Sequence, residues 1–246
     1  MTWLLLFGAG AIAGTLNALA GGGSFLTLPI LIFLGLPPTV ANGTNRLAIL
    51  TQNAGAVWSF HRHGILDCKW VRIAALPAVA GAIVGTAIAV RIDDQVFQRL
   101  LATLMVLFAV VTVWDPMRRY SAGAEPRSSL SGAAIPVTFF GVGLYGGFVQ
   151  AGIGFLILGV ATLAGLDLVR GNAMKVLVVL VFTPVVLALF AVAGKVDWGM
   201  GAVLAAGNFL GALLGVRLIV VKGHAWVRRV VLAVIVLFAV KLWLAP

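Results

Sequence analysis

Acidic side chains are scarce in this chain of 246 residues, which holds 7 Asp and Glu against 17 Lys and Arg and carries a formal net charge of +10. Its apolar stretches lack the buried carboxylates that usually carry protons or sodium ions inside a membrane, which argues against ion coupling of that kind. The basic surplus is spread over short loops rather than gathered on one face, which excludes a nucleic-acid-binding role. Cysteine occurs once, at Cys68, so an intrachain disulfide and a multi-cysteine metal site are both excluded. No Lys or Arg precedes Arg46. The N-terminal stretch therefore lacks the basic flank of a signal peptide and reads as a retained membrane segment with its N-terminus outside.

What the chain has in abundance is apolar sequence: 62% of residues are hydrophobic, 10% are charged, and the mean hydropathy is +1.13. That balance defines an all-α integral membrane protein. Apolar segments fall near 3–20, 24–35, 42–60, 70–91 and 97–114, then near 132–150, 154–169, 172–193, 198–220 and 226–244. The short gaps leave no room for an extramembranous domain, and one membrane bundle is expected. About 20 apolar residues span a bilayer as a helix, so the segment after Gly23 is too short and reads as part of a Gly-interrupted broken or re-entrant helical hairpin.

The two halves repeat. A shift of 130 residues without a gap lays Gly22 on Gly152, Phe25 on Phe155, Gly35 on Gly165 and Asn42 on Asn172. It also lays Asp67 on Asp197, Gly81 and Gly85 on Gly211 and Gly215, Arg99 on Arg229, and "VLFAV" at 106–110 on the same letters at 236–240. The organisation read from this is a first membrane repeat, 1–114, a cytoplasmic linker, 115–131, and a second membrane repeat, 132–246. Arg62, Lys69 and Arg72 mark one loop of the first half as cytoplasmic. In the second half the Lys and Arg excess falls one loop later, at Arg217, Lys222, Arg228 and Arg229. Equivalent loops then face opposite sides, and the fold class expected is two inverted repeats of transmembrane helices. Inverted repeats with interrupted segments mark a solute pathway, because broken helices are tolerated where they line a cavity.

Candidate binding residues cluster at the interruptions. In "AGGGSFL", Gly21, Gly22 and Gly23 permit a sharp turn, and a helix starting near Ser24 presents free N–H groups that attract anions. Ser24 reads equally as a helix N-cap. Gln150, Gly152 and Gly154 in "QAGIGFL" occupy the matching place. Arg46 lies about one turn into a segment expected to begin near Asn42, and a charge at that depth needs a partner, a polar cavity or a route to the headgroups. Lys175 aligns one residue away from it. Two such cations converging on one cavity suit an anion, although Lys175 also reads as a cytoplasmic anchor beside Arg170. Asn42, Thr44, Asn45, Gln52 and Asn53, with Asn172 and Asn208, add neutral hydrogen-bonding groups.

Other chemistry is poorly supported. Asp67 and Asp197 directly precede apolar segments and read as N-caps. His61 and His63 have a spacing compatible with a metal, but no thiolate or carboxylate completes the set, so no metal site is assigned. A hydrolase built on Ser24 and a histidine is disfavoured because every histidine falls in an expected loop. No cofactor and no catalytic residue is assigned, and the protein is not expected to be an enzyme.

The stretches "AGGGSFLTLP" and "LGLPPTVANGTNRLA", recurring as "AGIGFLILG" and "AGLDLVRGNAMKVL", resemble the sulfite exporter TauE/SafE family of bacterial membrane proteins over nearly the whole chain. The resemblance implies a multi-pass protein of the bacterial cytoplasmic (inner) membrane that exports a small sulfur-containing or organic anion, such as sulfite, sulfoacetate or a related sulfonate. It supports Gly21, Gly22, Gly23, Pro29, Asn42, Thr44 and Asn45 in the first repeat and Gly152, Gly154 and Asn172 in the second. The second repeat departs from the family form, with Ile153 and Gly159 where the first has glycine and Pro29. The expected partners are a small anion and the lipid bilayer, and a homo-oligomer is compatible with them. A carrier or channel for another solute and an intramembrane hydrolase are the alternatives.

Overall fold

Helix ends set the architecture. In a computed structural model of the chain, residues 2–19, 22–114, 132 and 134–222 are described. Among them the first half forms α1 (Thr2–Leu19), α2 (Ser24–Phe33), α3 (Pro38–Arg62), a π-helical turn (Val71–Ala75) leading into α4 (Leu76–Ala89), and α5 (Asp94–Trp114). The second half forms α6 (Ala134–Phe148), α7 (Ile153–Leu163), α8 (Leu168–Val192) and α9 (Trp198–Lys222). No strand occurs among the described residues. The linker at 115–131 and the apolar segment at 226–244 lie outside them, as do Gly21 and His224.

The 130-residue shift carries Pro38–Arg62 onto Leu168–Val192 residue for residue. It also carries the stops. Gly35 (φ 98°) ends α2, and its counterpart Gly165 (φ 80°) ends α7. In both, the N–H one residue beyond the glycine reaches back to a carbonyl of the last turn, Leu36 to Leu31 at 3.2 Å and Leu166 to Ala161 at 2.9 Å. Gly64 and Gly194 end α3 and α8 in the same way. This is the left-handed glycine stop that satisfies orphan carbonyls. The helix starts differ more. Asp197 accepts from Met200 N at 2.8 Å and caps α9, as its sequence position suggested. Gly23, not Ser24, holds the N-cap position of α2, and α3 begins at Pro38 rather than near Asn42 because a proline at the first helical position needs no N–H partner. His61 falls in the last turn of α3 rather than in a loop.

Packing exchanges the halves. α1 packs most extensively on α9, and α4 on α6, while α3 and α8 meet at the centre. The shift converts α1 with α9 into α6 with α4, and α3 with α9 into α8 with α4, so the pattern of contacts maps onto itself. Small residues make both outer contacts possible. A Cβ on Gly81 would lie 2.0 Å from the Phe140 carbonyl oxygen, and one on its counterpart Gly211 would lie 2.0 Å from that of Ala11. Backbones touch there, as they do in helix pairs that associate without a hydrophobic drive.

Three described helices are long and apolar enough to cross a membrane, within Val71–Ala89, Val169–Val192 and Trp198–Arg217. α2 has 10 residues. At about 1.5 Å per residue it covers only half of a hydrocarbon core about 30 Å thick. Gly23, at the start of α2, lies against Ala13 and Asn17 of α1.

Candidate functional site

The last carbonyls of a helix have no donors of their own and carry its negative partial charge. In this fold, each half supplies a buried cation to the last turn of the other half's first helix. Arg46, fully buried in α3, donates through Nη1 to the Gly146 carbonyl at 2.5 Å and to Gln150 Oε1. Its Nη2 donates to the Gly147 carbonyl at 3.0 Å and to Asn42 Oδ1 at 3.2 Å. Asn42 Nδ2 takes the next carbonyl, that of Phe148, at 2.8 Å. The Phe190 ring lies 5.5 Å from the guanidinium carbon. On the other side, Lys175 Nζ in α8 donates to the carbonyls of Asn17 at 2.9 Å and Ala18 at 3.4 Å, and to Asn172 Oδ1 at 2.6 Å. Asn42 and Asn172 are counterparts under the shift, and each orients its own half's cation.

The cations themselves are one residue out of register. Lys175 corresponds to Asn45, and one residue along a helix rotates a side chain by about 100°. That rotation separates their roles. Lys175 lines a narrow cleft, about 20 Å³ in volume, together with Asn17, Ser24, Ile49, Gln52, Asn53, Gln150, Ile153, Gly154 and Val179. Arg46 sits behind the wall and reaches the cleft only through Gln150. Neither cation forms an ion pair among the described residues, where the pairs are the exposed Asp67 with Lys69 and Asp167 with Arg170.

The cleft lies where the halves meet. Ser24 and Gly154 are counterparts, as are Ile49 and Val179, and all four line it. Ser24 begins α2 and Gly154 stands in the first turn of α7, so two helix N-termini converge there. Such ends favour negative charge. The remaining walls are unequal. The first half contributes Asn17, Gln52 and Asn53, where the second has Gly147, Phe182 and Thr183. The cation comes from the second half alone.

Of the sequence candidates, the cleft brings together Ser24, Gln52, Asn53, Gln150, Gly154 and Lys175. The others stand outside its lining. Gly22 accepts from Phe25 N at the start of α2. Gly152 (φ 76°) caps α7 against the Phe25 ring, which a Cβ there would approach to 2.7 Å. Thr44 Oγ1 accepts from Asp197 N at 2.8 Å, and Asn45 Oδ1 accepts from Thr27 Oγ1 at 2.8 Å. Asn208 is buried in α9 beside Gly14, and its side-chain amide has no partner among the described residues. Asn17 was not singled out from the sequence, although a lone amide in an apolar helix is a signal of its own kind. It accepts from Gly23 N at 2.7 Å and donates to Gln52 Oε1 at 2.9 Å. Gln150 is the non-glycine residue with positive φ (67°) among the described residues, a strained conformation at the wall of the cleft. Neither described histidine lines the cleft that holds Ser24.

A family described as Sulfite exporter TauE/SafE matches residues 6–242. The chain belongs to that family of membrane proteins. It is 28% identical over 243 residues to a "Probable membrane transporter protein ORF9" of Sinorhizobium sp., covering 98% of this chain and 92% of that one. A "Probable membrane transporter protein" of Haemophilus influenzae is 28% identical over 245 residues, covering 97% of this chain and 93% of the relative. "Probable membrane transporter protein YfcA" of Escherichia coli K12 is 29% identical over 241 residues, covering 97% and 88%. No solved structure matches.

Proposed function

We propose that this protein is a multi-pass carrier of the bacterial cytoplasmic membrane that exports a small sulfur-containing or organic anion, with sulfite and short sulfonates as its substrate class. The observation that carries this reading is the cleft between the halves, where a buried ammonium without a carboxylate partner among the described residues meets two helix N-termini and several amides. A site of that composition lacks only a negative charge. The names of the relatives support membrane transport, and the family's description as a sulfite exporter supports a small anion as the solute.

Two inverted repeats, 1–114 and 132–246, alternate access to this site, a reading supported by the exchange of contacts between the halves. Lys175 supplies charge. Ser24, Gln52, Gln150 and Gly154 supply hydrogen bonds or close approach, and Arg46, Asn42 and Asn172 hold the helix ends that frame them. A negative-inside potential assists export by ~2.3 kcal/mol per charge per 100 mV, so no coupling ion is required.

The test is flux of labelled sulfite and methanesulfonate in proteoliposomes. Saturation and counterflow are expected of a carrier, whereas flux that neither saturates nor exchanges indicates a channel. Retained flux in Ser24→Ala argues against the hydrolase alternative. Absence of flux for every small anion tried would reject the proposal.

A further inference from the structure

We infer that the cleft reads the hydrogen-bond polarity of its ligand, with inward donors from Gln52 and Gln150 and an inward acceptor from Asn53, and so prefers a monoanion carrying one hydroxyl. The inference rests on the proposed role of the cleft as an anion site and adds the chemical form of the ion it takes.

The amide orientations follow from partners that allow only one choice. The Gly23 backbone N–H can only donate, so the Asn17 atom 2.7 Å from it is Oδ1. Asn17 Nδ2 therefore points to Gln52, and the Gln52 atom that receives it at 2.9 Å is Oε1. Gln52 Nε2 is left for the cleft. The guanidinium of Arg46 likewise only donates, so it fixes Gln150 Oε1 and leaves Gln150 Nε2 for the cleft. The Ile49 carbonyl only accepts, so the Asn53 atom 2.7 Å from it is Nδ2, and Asn53 Oδ1 is left for the cleft.

All three side chains are nearly buried, Gln52 and Asn53 at 3% and Gln150 at 2% exposure, and all three line the cleft. The remaining atom of each has no partner among the described residues, yet none is sealed from every open space, as the Asn208 amide is. The cleft is the space they share. Lys175 is less selective, since its three N–H bonds are held by Asn17, Ala18 and Asn172 and it acts on the cleft through its charge. The Ser24 hydroxyl donates or accepts and does not discriminate. A ligand that satisfies the fixed set presents bare oxygens to the two glutamines and one O–H to Asn53. A ligand without that O–H leaves Asn53 Oδ1 facing lone pairs, and polar sites reject analogues that leave their buried groups unpaired.

The experiment compares two ions of the same shape and charge. At mildly acidic pH, methylphosphonate is a monoanion with one hydroxyl, whereas methanesulfonate is a monoanion with none. Binding of each to the purified, detergent-solubilised protein is measured by calorimetry. The expected result is about tenfold tighter binding of methylphosphonate, the effect of one hydrogen bond in a charged site. Asn53→Val is expected to abolish that preference, and Gln52→Met to weaken both ions by a similar factor. Equal or tighter binding of methanesulfonate by the unmodified protein, a comparison that needs no variant, would overturn the inference while leaving the anion site standing. Failure of both ions to bind would instead overturn the anion site, and the inference with it.

Discussion

Lys175 Nζ donates to the carbonyl oxygen of Asn17 at 2.9 Å, across 158 residues of chain. Through this contact the second half of the protein closes the end of the first helix and carries its charge to the cleft. Lys175→Met is expected to leave the Asn17 and Ala18 carbonyls and Asn172 without this donor. A loss of about 1–3 kcal/mol in stability should follow, the penalty of leaving a buried acceptor unsatisfied. Reversible unfolding in detergent measures it, and an unchanged midpoint would mean that the cap contributes nothing.

Arg46 joins more elements, since it links α3 to two carbonyls of α6, to Gln150 and to Asn42. Arg46→Met should therefore cost more than Lys175→Met, at least about 3 kcal/mol, because several buried acceptors lose their donor together. Its effect on anion affinity should match that of Gln150→Met, the side chain through which it reaches the cleft. A double variant that binds an anion no more weakly than either single variant would establish that shared route.

The helix contacts separate two kinds of glycine. At Gly81 and Gly211, an added Cβ meets a carbonyl oxygen at 2.0 Å, whereas at Gly8 it meets nothing within 4 Å. Gly81→Ala and Gly211→Ala are expected to destabilise by about 1–3 kcal/mol, as overpacking does, and Gly8→Ala to be neutral. Thermal unfolding of the three variants checks this, and equal midpoints would contradict the close approach of α4 to α6 and of α1 to α9.

Much of this architecture was legible in the sequence because the duplication preserves residue types where the backbone demands them. Gly35, Gly64, Gly165 and Gly194 all stop helices, and an ungapped shift brings them into pairs. Ser24 was legible as a helix start because it follows the glycine run directly. The separate roles of Arg46 and Lys175 were not. A one-residue offset is small in an alignment but large around a helix axis, and only packing decides which cation turns to the cleft. Asn17 was hidden for a different reason, since its role comes from accepting the Gly23 N–H and donating to Gln52, contacts that only the folded chain brings together.

Those helix stops make a fourth prediction. Gly194 has φ 68° and nothing within 4 Å of an added Cβ, so the cost of Gly194→Ala is conformational alone. It should be about 1–2 kcal/mol, and Gly194→Asn should cost less because asparagine tolerates the left-handed region. Gly64, its counterpart at φ 67°, should behave alike. A variant pair measured by unfolding in detergent that shows no advantage for Asn over Ala would contradict the assigned stop.

The most direct measurement is efflux of labelled sulfite from proteoliposomes under an inside-negative potential, comparing the unmodified protein with Lys175→Gln, each shown to be folded by its unfolding transition. The expected result is saturable efflux from the first and a loss of at least about tenfold in the second, in keeping with removal of the one cation that lines the cleft among the described residues. Equal efflux from both would contradict a site in which Lys175 supplies the charge that holds the anion.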